Sequence, residues 1–165
     1  MMMSKMSVAR FACVVALTAV CVFGCGPSMA QIQASKTATY RTDPVRALEV
    51  AAKVTAETYK IWEVNPEEYT FITAPQWYSS EGGRQSTGAG DVVQIGDRSV
   101  QLMMIVSVKP AGDDAVAIAV IPKTFQHISG SPKPRELTPD DPNLPGWVHG
   151  RVDALQYAIH QRMTH

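Results

Sequence analysis

The chain has 165 residues, 45% of them hydrophobic and 18% charged, with 15 basic side chains against 15 acidic ones. That composition fits one globular domain and excludes a disordered chain. A formal net charge of zero lacks the cation excess that binding nucleic acid requires, and a single apolar run is too few for a polytopic membrane protein.

Residues 1–10, MMMSKMSVAR, carry Lys5 and Arg10 and no acid. Residues 11–23, FACVVALTAVCVF, are uncharged and apolar. A short basic region before about 7–15 apolar residues is the pattern of a secretory signal peptide. The run is short of the about 20 residues a spanning helix needs. The cations hold its start in the cytoplasm, so the chain beyond it is exported.

Val22-Phe23-Gly24-Cys25-Gly26 follows. This segment resembles the lipobox of bacterial lipoproteins, with Phe23 bulkier than is usual there. The resemblance implies cleavage after residue 24, diacylglycerol on the Cys25 sulfur and a fatty acyl chain such as palmitate on the new amine. Two or more chains give stable anchoring, at about 0.8 kcal/mol per buried CH₂. It also implies an outer-membrane location facing the periplasm, because Gly26 stands where the family's inner-membrane retention signal has Asp. A second reading stays open. Ser28-Met29-Ala30 is a small-x-small pattern suited to ordinary signal peptidase, and cleavage after Ala30 would release a soluble secreted or periplasmic protein. Cys13, Cys21 and Cys25 are the only cysteines, so the domain beyond residue 25 must be held together by its core without a disulfide. Removing residues 1–24 takes away Lys5 and Arg10 and leaves a net charge of −2.

Residues 26–42 are small and polar without a sustained period. With Cys25 they read as a lipidated N-terminus and flexible tether, leaving residues 43–165 as the single domain. Asp43-Pro44 opens a helix, with Asp as cap and Pro at the first helical position. Val45, Leu48, Ala52 and Ala56 recur at three- and four-residue spacing as its buried stripe. Arg46, Glu49, Lys53 and Glu57 form the solvated face. The helix breaks near Glu57, where aromatic and β-branched residues begin. Asn65-Pro66-Glu67-Glu68 suits a type I turn, so residues 59–64 and 69–74 make a hairpin, ended by Pro75. Residues 79–97 hold five glycines and form a long loop, with a small hairpin at Ile95-Gly96-Asp97-Arg98. No Gly-Lys-Ser/Thr follows them, so the loop is not a phosphate cradle.

Residues 99–108 form the strongest strand, with Val100, Leu102, Met104, Val106 and Val108 on one face. A turn at 110–114 returns the chain as a strand over 115–121, with Val116, Ile118 and Val120 on one face. Residues 129–146 form a loop rich in Pro, Ser, Gly and Asp. A last helix begins near Pro145, its stripe Val148, Val152, Leu155 and Ile159. The fold class is therefore α+β: helix, hairpin, loop, hairpin, helix, with an antiparallel sheet of about four strands and both helices on one face. This order resembles the helix-grip shape of domains in the lipoprotein C subunit of the outer-membrane barrel assembly machine. The resemblance covers residues 43–163 as an order of elements and carries over no site residue.

Tests for chemistry find no catalytic set, and no cofactor or metal site is expected. His149, Asp153, Gln156 and His160 share one side of the last helix, but its outer histidines lie about 16 Å apart, too far for one ion. His149 and Asp153 would need a third ligand such as His127, and a polar flank beside the apolar stripe is the simpler reading. Asp113-Asp114 and Asp140-Asp141 sit in turn-rich segments where Asp bonds locally to backbone. No G-x-S-x-G elbow is present. Trp62, Trp77 and Trp147 read as core or rim packing. Met103, Ile105, Ala117 and Ala119 fall on the outer face of the sheet as a mildly apolar docking surface. The expected function is a non-enzymatic envelope lipoprotein that meets a protein partner, with the membrane as its other contact. A small hydrophobic-ligand module, with a cavity between helices and sheet, is the alternative.

Overall fold

The apolar residues Val100, Leu102, Met104, Val106 and Val108, two apart along the chain, build the centre of the molecule, the long strand β5. In the computed structural model, which describes residues 26–85 and 95–165, the elements are α1 (Met29–Thr37), β1 (Thr39–Tyr40), α2 (Pro44–Ala56), β2 (Ile61–Asn65), β3 (Thr70–Thr73), β4 (Gln76–Tyr78), β5 (Val100–Pro110), β6 (Val116–Gln126), β7 (Arg135–Leu137) and α3 (Gly146–Thr164). The apolar leader, Cys25 and the middle of the Gly-rich loop lie outside the described residues. The turn at Gly96–Ser99 is closed by Ser99 N–H donating to the Gly96 carbonyl, 3.2 Å. The strand that would complete the small hairpin there falls outside them too.

The fold is α+β with an antiparallel sheet, in the order β1-β6-β5-β3-β2, with β4 also pairing β5 and β7 also pairing β6. Among the described residues it has seven strands where about four were expected. The four expected strands are β2, β3, β5 and β6. The additional ones have two or three residues each, too few to show a period.

β5 and β6 pair along their full lengths, from Val100 opposite Gln126 to Pro110 opposite Val116. β6 therefore runs five residues beyond the expected end at 121, through Pro122. Backbone groups of Ile118 and Val120 point away from β5, toward the outer edge of the sheet, where a side chain of α3 meets them. Pro122 shares that direction, so its missing N–H is lost at the edge and not within the β5–β6 ladder. Pro75 does interrupt a strand, between β3 and β4. Across that break the Thr73 hydroxyl accepts from Met104 N–H at 2.9 Å, supplying the partner that the strand no longer provides.

In the β2–β3 hairpin the Asn65 side chain accepts from Glu67 and Glu68 N–H at 3.2 and 3.3 Å. This asparagine turn lets the chain reverse with Tyr69 at φ 51°.

The core lies between one face of the sheet and the helices. β5 contributes Leu102, Met104, Val106 and Val108, β6 contributes Val116, Ile118 and Val120, and β3 contributes Phe71. The expected α3 stripe of Val148, Val152, Leu155 and Ile159 is fully represented in it. The α2 stripe is rotated from the expected one. Its buried residues are Ala47, Leu48, Ala51, Val54 and Thr55, while Val45 is 54% exposed and Ala56 is exposed. Of the expected set only Leu48 is fully buried. Two apolar stripes compete on this alanine-rich helix, and the small Ala47 and Ala51 let its backbone approach its neighbours closely. Thr55 joins that face because its hydroxyl donates to the Ala51 carbonyl at 2.7 Å. The cap is as expected, with the Asp43 carboxylate accepting from Arg46 N–H at 2.9 Å.

The tether expected over residues 26–42 is folded instead. Ser28 and Gln31 form a reciprocal capping box, and β1 pairs with β6 at Thr39 opposite Ala117. α1 has no apolar stripe, and Ser35 is its only buried residue. Hydrogen bonds and an ion pair hold it against the polar flank of α3, which is why hydrophobic periodicity does not reveal it.

Candidate functional site: the uncovered face and free edge of the sheet

The alternation that buries one side of β5 and β6 leaves the other side outside the helical layer. Register places Ile72 of β3, Ile105 of β5 and Ile121 of β6 directly opposite one another in a row. Trp77 of β4, Gln101 of β5 and Phe125 of β6 form a second row, and Met103 lies opposite Lys123 between the two. Most of these apolar side chains are half-buried, and Ile121 is exposed. No described helix buries this face. The expected docking residues Met103, Ile105, Ala117 and Ala119 all belong to it and are all half-buried. Lys123 lies 5.8 Å from the centre of the Phe125 ring, and His127 meets the edge of Trp77 at 6.5 Å between ring centres. An apolar surface with Trp, Phe and Met among isolated charges has the composition of a protein-interaction patch.

The two ends of the strand order differ. β6 has its outer edge occupied. β1 pairs at Val116 and Ala117, and β7 pairs at Thr124, Phe125 and Gln126. Between them the buried Gln156 side chain of α3 donates to the Ile118 carbonyl at 3.0 Å and accepts from Val120 N–H at 3.0 Å. The same amide donates to the Ser35 carbonyl at 3.1 Å. One side chain therefore completes the edge and ties α1 to α3. At the other end, among the described residues, β2 has no further strand beside it. Trp62, 68% exposed, and Val64, 50% exposed, lie on it.

Three of the four helix residues tested for metal binding have other partners. Asp153 pairs with Lys36 at 2.6 Å, Gln156 holds the edge, and the His160 ring nitrogen Nδ1 lies 3.0 Å from the Tyr40 hydroxyl. Burial holds that hydroxyl above the usual tyrosine range. His149 is exposed, and His127 packs on Trp77. Among the described residues no three His, Cys, Asp or Glu side chains gather to hold an ion. The polar flank of α3 is thus the seat of residues 35–40. A polar trio at 153, 156 and 160 beside an apolar stripe, with the Ser28-x-x-Gln31 capping signature, was the available signal.

The paired aspartates are turn residues. Asp113 and Asp114 are exposed between β5 and β6. Asp140 is exposed, while Asp141 accepts from Asn143 N–H at 2.8 Å and pairs with Arg135 of β7. The Asn143 backbone bond, then the arginine, holds the Asp141 carboxyl below the usual range.

The tryptophans occupy separate places. Trp147 lies 5.1 Å from Tyr78 between ring centres and donates to the Ser80 carbonyl at 2.9 Å. Its ring covers Gly82, where a Cβ would meet it at 2.8 Å and where φ is 89°. Only glycine suits both demands. Arg151 stacks 4.4 Å from the Tyr78 ring centre and donates to the Gly82 carbonyl at 2.9 Å, so α3 clamps the start of the Gly-rich loop.

Four open clefts lie at the rims of the described structure, of about 350 to 580 Å³. The one nearest the Gly-rich loop has Asp97, Arg98, Arg135 and Asn143 on its walls. Two of them reach the margin of the core, one at Val116 and one at Tyr40 and Met163. No described helix is long and apolar enough to cross a membrane. No protein-family model and no curated protein matches the chain.

Proposed function

We propose that the protein is a non-enzymatic cell-envelope lipoprotein, anchored through Cys25 in the outer membrane and facing the periplasm, with a helix-grip-like domain that docks a protein partner on the uncovered sheet face. The observation that carries the docking reading is the row Ile72–Ile105–Ile121, continued by Met103, Trp77 and Phe125, outside the helical layer. Burying such a patch is favourable at about 25 cal/mol per Å² of apolar surface. Apart from the exposed His149, the polar groups singled out as chemical candidates are engaged in turns and packing, which favours binding over catalysis. The side chains of β3, β5, β6, α2 and α3 pack into one hydrophobic cluster, which favours protein docking over a small-ligand cavity.

The Cys25 reading gains support from the helix beyond it. Ser28, Met29 and Ala30 form the cap and first turn of α1. Cleavage after Ala30 would discard the capping box and shorten the helix whose last turns hold Gln156 and Asp153. Cleavage before Cys25 keeps both.

Two measurements test the proposal. Cys25→Ala is expected to leave the membrane fraction while staying folded, because the acyl chains supply the membrane affinity. Retention through alkaline carbonate would defeat the anchor. In cells, a photo-crosslinker at Ile121 is expected to yield one discrete protein adduct and the same group at Glu49, on the exposed side of α2, none. Equal labelling at both positions, or none at either, would defeat the docking face.

A further inference from the structure

We infer that the free edge of β2 receives an extended, lysine- or arginine-bearing segment of a partner protein, which pairs with it as an additional strand. The inference rests on the docking reading above and names the chemistry of the partner. Position, exposure and charge each point to it.

β2 closes the strand order, and no strand of the described residues pairs its outer side. An unpaired edge presents backbone donors and acceptors to any extended chain, and proteins ordinarily blunt such edges with Lys, Pro or a covering element. This molecule does so at β6, down to the single glutamine that fills the gap between β1 and β7. At β2 it places Trp62 and Val64, both largely exposed. The register shift between Ile61 and Glu63 twists the start of the strand, but pairing stays in step from Glu63 to Asn65. Trp62 sits at that shift, where an aromatic anchor can cover an incoming strand.

Charge selects the occupant. Glu63, Glu67 and Glu68 are exposed and form no ion pair among the described residues. Lys60 is the one cation between residues 60 and 68. Asn65 pins Glu67 and Glu68 through their N–H groups, so the acidic end of the edge is held in place. An antiparallel second copy centred on Val64 would set Lys60 of one chain against Glu68 of the other and leave Glu63 and Glu67 of both without a cation. Like charges across a strand pair are destabilising, and opposite charges stabilise it. A basic strand satisfies the edge, where an identical one does not.

The probe is a short peptide alternating Lys and Val, added to the full chain in detergent and read by hydrogen exchange. Protection is expected at the amides of β2, with affinity falling at least tenfold in the variant Glu63→Lys, Glu67→Lys, Glu68→Lys and on raising the salt. The same peptide N-methylated at alternate amides, which needs no change to the protein, is expected to lose binding. Unchanged binding of the N-methylated peptide, or equal binding of a Glu/Val peptide, would overturn the strand-pairing proposal. Protection confined to the Ile105 and Ile121 surface would overturn it as well, yet leave the docking face standing. Dimerisation of the chain through β2 in place of peptide binding would make a second copy the occupant and overturn it.

Discussion

Along the outer side of β6, a two-residue strand, a glutamine amide, a proline and a three-residue strand follow one another, and each deals with the backbone groups it meets. Along the outer side of β2, the chain offers a tryptophan, a glutamate and a valine to solvent. The β6 edge shows that closing a sheet needs no long strand. β1 takes Val116, Gln156 takes Ile118 and Val120, Pro122 has no donor to place, and β7 takes Thr124 and Gln126. Residues remote in sequence were recruited for this, α3 among them. A fold that finishes one edge with such care and leaves the other bare separates what holds it together from what it presents.

The largest effect is expected where the finished edge is opened. Gln156→Leu keeps the volume but leaves Val120 N–H and the Ile118 and Ser35 carbonyls without their partner. The expected loss is about 3–5 kcal/mol in equilibrium unfolding, since a buried unpaired polar group costs about 1–3 kcal/mol. A loss below about 1 kcal/mol would mean that water replaces the amide and that the edge is not sealed. Leu155→Ala, one residue away on the apolar stripe, supplies the yardstick. It is expected to cost about 3 kcal/mol by cavity formation, and a surface-like change would break the packing of α3 on the sheet.

The free edge is expected to respond weakly. Trp62→Ala should alter stability by no more than about 0.5 kcal/mol, as exposed positions do. A loss near that of Leu155→Ala would show that Trp62 holds the fold together and would erase the contrast. The smallest effect concerns β7. Asp141 holds Arg135 of that strand, and its carboxyl titrates below the usual range. A depressed folded pKa contributes stability above the unfolded value and loses it as the pH falls through the folded one. Acidification below the ordinary carboxylate range is therefore expected to speed exchange at the β7 amides before those of β5. Uniform exchange along both strands would show that the aspartate does not govern this end of the edge.

What the sequence discloses follows how each element is stabilised. α3 and β5 bury apolar side chains at regular spacing, and both were legible with their faces. α2 was legible as a helix, but its alanines admit more than one buried stripe, and packing chose between them. α1 and β1 were not legible, because they bind through Ser35, Lys36 and Tyr40 to a flank of α3 that carries no apolar signal. The uncovered face was read only in part. Met103, Ile105, Ala117 and Ala119 lie in strands that alternate visibly. Trp77 belongs to a three-residue strand after a proline, and Phe125 follows Pro122, where a strand would ordinarily stop. The free edge could not be read at all, since strand order depends on partners distant in sequence.

The folding of residues 29–40 onto α3 has a mechanical consequence. Gly26, Pro27 and Ser28 alone separate Cys25 from the first turn of α1. As an unfolded chain, residues 26–42 would wander over a root-mean-square distance of about 23 Å. Three residues span at most about 10 Å. With Cys25 acylated, as proposed, the domain is moored almost at the bilayer surface and has little room to swing. Its search for a partner becomes nearly two-dimensional, and a basic strand would have to come within a protein's diameter of the lipid to find the β2 edge.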